Sequence, residues 1–361
     1  MTHRITIAGI GAVSSGGWGV EALWWAVTRG LPPTLAETGT LPHPSGDPAL
    51  ARAVRRVPKP DPRPAFLAHP RLRRASPISH FAAAAALEAI GPERLEAIWS
   101  GGLRTGIVCS LLNGSVNYSA RFHAEVLKDP ATASPLLFPE TVFNAPASHV
   151  AAVLGITAPI TTVLGDTAQF FPAVETAVQW LLDGLVDTCL VIGAEEADWL
   201  TAEALALLAP RAVLSEGAGA LLLEKNGPGP LLAAIYGPHP IQQSGRKGAA
   251  TALFADIAAA WPAAQGQEPL PEAPGPLLVT DCCGDPKTDA PTKSAATASS
   301  WPGLIMHPRT VLGEALGASA ALQSVLAVRS LADGGSSHAA AVAVAVGGNM
   351  QAAALEVRSG A

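Results

Sequence analysis

The sequence has few charged residues and no long apolar run, and each shortage excludes a class of protein. Charged residues make up 14% of the 361 positions, the formal charge is −6, and no run of Lys or Arg alternates with aromatic residues. Nothing therefore attracts a nucleic-acid backbone. No apolar run approaches the roughly 20 residues of a membrane helix. The first residues, MTHRITIAGIGAV, lack the basic flank and apolar stretch of a secretion signal. We expect neither a nucleic acid nor a membrane as a partner.

Cysteine is also scarce, with four in the chain: Cys109, Cys189, Cys282 and Cys283. The first two lie in apolar segments typical of strands and the other two are adjacent, a spacing that suits neither a disulfide framework nor a zinc site. The glycine pattern GIGAVSSGG is not followed by the acidic residue of a dinucleotide site. We expect a reducing, cytoplasmic setting, no metal and no cofactor.

Apolar residues are abundant, and their pattern predicts an α/β protein. They make up 49% of the chain, enough for one large core or two smaller ones. The strand-like RITIAGIGAV precedes the helical GVEALWWAVTRG, and after NGPGP the alternation restarts with LLAAIYG, a helix over 248–261 and PLLVTDCC. Parallel-type strands with covering helices predict a layered α/β/α/β/α arrangement. We expect two similar halves, residues 1–225 and 226–361.

Other segments interrupt or extend this alternation. Residues 31–79 carry many Pro and Arg and predict a surface excursion. The composition of QGQEPLPEAPGP (265–276) and DPKTDAPTKSAATASSWPG (285–303) predicts loops. The segment VLGEALGASAALQSVLAVRSL (311–331) predicts one long helix.

The segment ITTVLGDTAQFFPAVETAVQW (160–180) predicts a buried strand, a tight turn and a helix. Thr167 lies in the turn, a place where enzymes often position a nucleophile. Two structural interpretations compete with that one. The hydroxyl of Thr167, or the carboxylate of Asp166, could cap the helix, and Gln169 could bond nearby backbone.

Four segments resemble the β-ketoacyl synthases of the condensing-enzyme family, and they occur in the family's order. They are ITIAGIGAVSSGGWGVEALWWAVTRG, GLVDTCLVIGAEE, SEGAGALLLEK (215–225) and AVGGNM (345–350). The last is similar to the terminal glycine-rich loop and contains Gly347, Gly348 and Asn349. The resemblance implies a thiolase-like fold of five layers, α/β/α/β/α, and two similar halves.

The resemblance also implies that the catalytic positions have changed. Active members use an elbow cysteine, two histidines and a lysine; the residues at those positions here are, in the same order, Thr167, Cys283, Glu314 and Arg309. An alcohol is not appreciably ionised without a nearby base. An ionised Glu314 offers no proton to an oxyanion. In related non-condensing subunits a glutamine replaces the cysteine, but Gln169 falls two positions after Thr167. We expect no catalytic residue for condensation.

Such a chain resembles the chain-length factor of type II polyketide synthases. The resemblance implies a heterodimer with an active ketosynthase, an acyl carrier protein as second partner, and an interface at ITTVL and SVNYSARFHAEVL. The candidates for the tunnel or the interface are Tyr118, Phe122, Gln169, Phe170 and Phe171. Core packing is the alternative for each aromatic residue.

Two other functions remain open. One is an acyltransferase or thioesterase-like enzyme that uses Thr167 or Cys283. The other is a homodimeric scaffold or binding protein that lost the condensing reaction.

Further polar residues have structural interpretations. Glu195 and Glu196 are adjacent in a predicted strand and point to opposite faces, so they do not form an acid–base pair. His149 and His307 have no recognisable acidic or cysteine partner at fixed spacing and are predicted to be structural.

Overall fold

A sheet of 11 strands runs through the molecule and a small sheet of three strands lies beside it. The computed structural model describes residues 4–31, 39–260, 275–332 and 338–360. The described strands are β1 (Ile5–Ser14), β2 (Gly17–Trp18), β3 (Gly39–Leu41), β4 (Arg52–Arg55), β5 (Thr105–Leu111), β6 (Ile160–Leu164), β7 (Thr188–Glu195), β8 (Leu214–Ser215), β9 (Gly217–Lys225), β10 (Leu231–Pro240), β11 (Leu277–Val279), β12 (Leu304–Met306), β13 (Ala340–Val346) and β14 (Gln351–Arg358).

The helices cover both faces of the large sheet. The described α-helices are α1 (Val20–Arg29), α2 (Pro77–Trp99), α3 (Val116–Lys128), α4 (Ala145–Leu154), α5 (Phe170–Leu182), α6 (Trp199–Leu208), α7 (Ile241–Ala260), α8 (Pro286–Ala298), α9 (Pro308–Leu312) and α10 (Ser319–Ser330).

The large sheet consists of two similar halves. The first has the order β6-β5-β7-β9-β1 and the second the order β12-β11-β13-β14-β10. Numbered along the chain within each half, both read third, second, fourth, fifth, first. The halves meet where Thr6 of β1 pairs antiparallel with Leu231 of β10. The prediction of two similar α/β halves is confirmed, whereas the boundary between residues 225 and 226 stays a prediction.

Three apolar clusters define the layers. The central cluster packs α5 and α10 between the two halves of the sheet, with Val191 on one side and Ala343 on the other. A second cluster packs α2 and α4 on the outer face of the first half. A third packs α7 and α8 on the outer face of the second half. This is the predicted α/β/α/β/α arrangement, because each sheet half buries apolar side chains on both faces.

Two predictions for the second half are wrong in part. The segment 285–303 is not all loop, since it contains α8. Asp285 starts this helix by accepting hydrogen bonds from the backbone N–H groups of Lys287 and Thr288, and Pro286 is tolerated at the first helical position. The segment 311–331 is not one helix, because Gly313 has φ 89° and the regular helix begins only at Ser319.

Two predictions for the first half also need correction. Residues 31–79 are not only a surface excursion: β3 and β4 form the small sheet with β8, and Leu67 and Leu72 are buried against α2. Strand β6 is an edge strand, and Ile160 and Leu164 are 41% and 44% exposed, so it is not buried as predicted. Residues 32–38, and residues 265–274 of the loop predicted over 265–276, lie outside the described residues.

Candidate functional site

The predicted strand, turn and helix form an elbow between β6 and α5. The strand ends at Leu164, the helix begins at Phe170, and Gln169 is its N-cap residue. Thr167 lies two positions earlier, half-buried in the turn. Gly165 permits the tight approach, because a Cβ there would lie 2.4 Å from Oε1 of Gln169. The side chain directly at the helix N-terminus is therefore Gln169.

Asp166 joins the elbow to the terminal glycine-rich loop. Its Oδ2 accepts hydrogen bonds from the backbone N–H groups of Met350 at 2.9 Å and Asn349 at 3.4 Å. The loop must approach closely, since a Cβ on Gly347 would lie 1.9 Å from that oxygen. The amide of Gln351 donates to Oε1 of Gln169 at 3.1 Å. The structure thus brings Gln169 and the glycine-rich loop together.

The helix-capping interpretation of Asp166 and Thr167 is wrong. Helix α5 has no side-chain hydrogen bond at its N-cap. The Oδ1 of Asp166 instead accepts from the backbone N–H of Ala168 within the turn. The N-cap position of α5, close to the partial positive charge of the helix N-terminus, is therefore occupied by an uncharged residue, Gln169.

Glu314 and Arg309 form a buried ion pair. Nη1 of Arg309 lies 2.8 Å from Oε2 of Glu314, and each side chain is 6% exposed. The other guanidinium donors reach Oε1 of Gln323 at 2.7 and 3.2 Å. The remaining oxygen of Glu314 accepts from the Ser319 hydroxyl at 2.8 Å and the backbone N–H of Leu316 at 2.9 Å. Both oxygens of the Glu314 side chain therefore already accept hydrogen bonds from neighbouring groups.

Cys282 and Cys283 lie just beyond β11 and are buried. Burial raises the pKa of each thiol to about 12. The negative charge of Glu314 also raises the pKa of Cys283. Both side chains are therefore neutral thiols near pH 7, and neither has the thiolate that a nucleophile requires.

Sequence reasoning missed a carboxylate beside these thiols. Asp281 is 6% exposed, and it accepts hydrogen bonds from the Thr292 hydroxyl at 2.7 Å and the backbone N–H of Val346 at 2.8 Å. Burial raises its pKa, while the nearby charge of Arg309 opposes that shift. The signal in the sequence was a charged residue directly after a buried strand, in VTDCC.

The aromatic candidates lie in two different environments. Phe170 and Phe171 are buried in the central apolar cluster. Tyr118 and Phe122 lie half-buried on α3. The rings of Phe122 and Phe138 are 5.6 Å apart between centroids. Packing in the core accounts for the first pair, whereas the second pair belongs to a helix that has no fully buried residue.

Large apolar side chains are exposed on α3, on β6 and in the segment between α3 and α4. The side chains that share this exposure are Leu127, Leu136, Phe138, Val142, Phe143, Ile160 and Leu164. Edge strand β6 pairs only with β5 among the described strands. Contiguous exposed apolar residues mark interaction surfaces more often than isolated ones do.

Two histidines have partners that the sequence did not indicate. His149 Nε2 lies 2.7 Å from Oε1 of Glu140, which is buried, and His307 Nδ1 lies 2.6 Å from the hydroxyl of Thr280. Among the described residues, no cluster of three or more His, Cys, Asp or Glu side chains is placed to hold a metal ion. No described helix combines the length and apolar character that a membrane crossing requires.

Comparisons with known proteins place these features in a family context. The model of the β-ketoacyl synthase N-terminal domain matches residues 2–227. A chain of "The ishigamide ketosynthase/chain length factor" is 20% identical with a TM-score of 0.75, and 99% of each chain is covered. A comparison with curated proteins finds no match.

Two further solved structures have the same fold. A chain from a ketosynthase in complex with its chain length factor, from Xenorhabdus doucetiae, is 16% identical with a TM-score of 0.72, covering 99% of this chain and 98% of that one. A chain from a type II polyketide synthase acyl-carrier protein in complex with its ketosynthase is 16% identical with a TM-score of 0.75, covering 99% and 100%. At these identities the likeness shows the fold, here the thiolase-like ketosynthase fold.

Proposed function

Because the chain belongs to the β-ketoacyl synthase family, we propose that it is the non-catalytic partner of an active ketosynthase. In this role it acts as a chain-length factor in a type II polyketide or fatty-acid-like synthase. It pairs with the ketosynthase in the cytoplasm and forms one wall of the tunnel that holds the growing acyl chain. An acyl carrier protein delivers that chain.

The observation that carries this proposal is the side chain at the N-terminus of α5. Gln169 is the N-cap residue of that helix, where a thiolate would be stabilised in an active member. A carboxamide does not ionise and cannot accept an acyl group as a cysteine does. We therefore assign the nucleophile position to Gln169, two residues after Thr167. A glutamine there is the replacement found in non-condensing relatives.

The remaining polar groups support the same conclusion. Glu314 is paired with Arg309, so its side chain is held away from the role of a free proton donor. Cys283 is a buried neutral thiol, since its pKa is raised to about 12. Loss of one oxyanion donor typically lowers turnover by roughly 100- to 1000-fold. The chain lacks the nucleophile and both histidine donors at the positions that the resemblance assigns.

The apolar surface around α3 and β6 supports a ketosynthase partner. Ile160 and Leu164 expose apolar side chains on an edge strand, and an unpaired strand edge readily adds a strand from another chain. Phe138 and Phe143 extend the same surface. A pseudo-two-fold pairing at this edge would bury it.

Exposed arginines beside α3 support an acidic carrier protein as second partner. Arg71, Arg73 and Arg74 are exposed in a chain whose net charge is −6. Their turn abuts α3, because the hydroxyls of Ser76 and Ser115 lie 2.9 Å apart. Complementary charge of this kind steers association and favours an anionic partner.

Co-expression with a ketosynthase from the same genomic neighbourhood tests the proposal. We expect a one-to-one heterodimer by size-exclusion chromatography with light scattering, and elongation from malonyl groups only when both chains are present. A homodimer that ignores the ketosynthase would support the scaffold function instead. Elongation by this chain alone would overturn the proposal.

Mass spectrometry separates the proposal from an acyltransferase or thioesterase-like function. The purified chain is incubated with acyl-thioesters and digested, and modified peptides are identified. We expect no acyl adduct on Thr167 or Cys283, because neither side chain is ionised near pH 7. A stoichiometric adduct on either residue would favour the enzyme.

A further inference from the structure

Helix α3 is held in place by polar contacts rather than by an apolar core. None of its 13 residues is fully buried, although Tyr118 and Phe122 contact the body of the protein on one side. A helix without a buried apolar stripe gains little positional stability from packing. Its placement therefore depends on what binds its ends.

Glu195, the last residue of β7, fixes the loop before α3. It is 1% exposed, and its carboxylate accepts hydrogen bonds from the backbone N–H groups of Leu112 at 2.9 Å and Gly114 at 3.0 Å, with Asn113 at 3.2 Å. Three consecutive backbone N–H groups therefore share one buried side chain as their acceptor. The loop cannot move without losing several of them together.

Glu196, the next residue, fixes the first turn of α3 itself. It is 1% exposed, and its Oε1 accepts from the backbone N–H of Asn117 at 3.2 Å and from the Asn117 side-chain amide at 2.9 Å. That amide also donates to the carbonyl of Ala197 at 3.1 Å. The residue after Asn117 is Tyr118, so these bonds hold the backbone directly before that ring.

A third buried carboxylate acts at the other end of the segment. Glu140 is 7% exposed and bonds His149 at 2.7 Å. It closes the short helical turn Phe138–Glu140, and Phe138 packs on Phe122 at 5.6 Å between ring centroids. Both ends of the segment are thus tied to the body by buried acids.

We propose that Glu196 is a positioning residue that sets where α3 lies and thereby sets the length of the acyl chain that the tunnel accepts. This inference rests on the proposed function, in which Tyr118 and Phe122 form part of the tunnel wall. Glu196 contacts no substrate in this scheme. It acts through Asn117, which holds the first turn of the helix.

The test uses two substitutions of Glu196 and one matched control, each co-expressed with the ketosynthase and supplied with acyl carrier protein. Glu196→Ala removes the acceptor, whereas Glu196→Gln keeps an Oε1 that can accept both Asn117 bonds. Glu203→Ala makes the same truncation in the partly exposed Arg52–Glu203 pair. Hydrogen exchange of residues 113–120 and the product-length distribution are measured for each complex.

We expect Glu196→Ala to speed exchange in this segment by at least about tenfold, because Asn117 loses both of its hydrogen bonds to Oε1 of Glu196. The product distribution should broaden toward other lengths while the heterodimer persists. Glu196→Gln should restore both readouts, and Glu203→Ala should change neither.

Failure of the inference and failure of the proposed function give different results. If the wild-type complex elongates a chain but Glu196→Ala leaves product lengths unchanged, the positioning role is wrong. If the wild-type chain does not pair with a ketosynthase or contribute to elongation, the proposed function is wrong. Unchanged exchange in Glu196→Ala would overturn the positioning role without any activity measurement.

Discussion

At the scale of single residues, the proposed loss of condensing activity depends on the surroundings of Glu314 and Cys283. The sequence identified Glu314 and Cys283 as replacements for the two histidines of active family members, and the structure shows what surrounds each of them. One is a carboxylate held by an arginine, and the other is a thiol whose pKa burial raises to about 12.

Two cysteine substitutions test which residue occupies the nucleophile position. Gln169→Cys places a thiol at the N-terminus of α5, where the helix dipole lowers a thiol pKa, and Thr167→Cys places one two residues earlier. We expect iodoacetamide to modify Cys at 169 faster than Cys at 167 near pH 7, as measured by mass spectrometry. Faster labelling at 167 would return the nucleophile position to Thr167.

The stability of the protein should depend on pH through Glu196. Burial raises its pKa from 4.5 to about 7, so the folded state holds a proton that the unfolded state releases. Its stabilising effect is complete below about pH 4.5 and is lost as the pH rises through about 7. The loss amounts to at most about 3 kcal/mol in the free energy of unfolding.

Chemical denaturation at several pH values checks this dependence. Glu196→Gln has no ionisable group and is the matched control. We expect the difference in unfolding free energy between the two proteins to grow in favour of the glutamine variant from about pH 5 to about pH 8. A constant difference over that range would contradict the prediction.

At the scale of elements, the buried pair Arg309–Glu314 links the loop after α9 to α10 and to β8. Backbone bonds join Glu314 to Val213 and Ser215. Glu314→Ala would leave Arg309 buried without its carboxylate, which typically costs about 3–5 kcal/mol. We expect urea denaturation to show that loss.

The Arg52–Glu203 pair provides the comparison for that prediction. Its side chains are 35% and 29% exposed, and solvent weakens the attraction in pairs that it can reach. Glu203→Ala should therefore change the unfolding free energy little. A loss for Glu314→Ala as small as the one expected for Glu203→Ala would contradict the structural importance of the Glu314 pair.

Helix α3 carries the prediction on product length. Tyr118→Ala and Phe122→Ala each remove a large ring from the helix that faces the proposed tunnel. We expect longer products when either variant is co-expressed with the ketosynthase, measured by mass spectrometry of released chains. Trp99→Ala, at an exposed ring on a different helix, is the control and should leave product length unchanged.

Local signals explain which elements were predictable. The strand, turn and helix at 160–180 follow directly from apolar periodicity and a glycine. Helix α8 was missed because its Pro and Thr content resembles a loop. The Asp285 cap with Pro286 outweighs that composition. The long helix predicted over 311–331 was shortened by the left-handed backbone of Gly313, which apolar periodicity does not reveal.

At the scale of the whole molecule, the unpaired edge of β6 predicts where the partner binds. Ile160 is 41% exposed on that edge. We expect Ile160→Asp to weaken the heterodimer with the ketosynthase by at least about tenfold, because a buried unpaired charge costs several kcal/mol. Dissociation constants measured by interferometry check this.

An equally exposed position far along the chain provides the control. Ile305 is 46% exposed on edge strand β12, which corresponds to β6 in the second half. Ile305→Asp should leave the affinity for the ketosynthase unchanged. If it weakens the heterodimer and Ile160→Asp does not, the interface lies at the opposite edge of the sheet.

The amino-acid sequence by itself determined the layered α/β fold and its two similar halves, because apolar periodicity and the order of the family segments are local properties that can be read along the chain. It also identified Glu314 and Arg309 as the residues at two positions where the family resemblance implies a histidine and a lysine. Only the tertiary structure decided that Gln169 lies at the helix N-terminus and that Glu195 and Glu196 anchor α3. Burial and hydrogen bonding depend on distant segments brought together, and those contacts set which groups can ionise and which elements stay fixed.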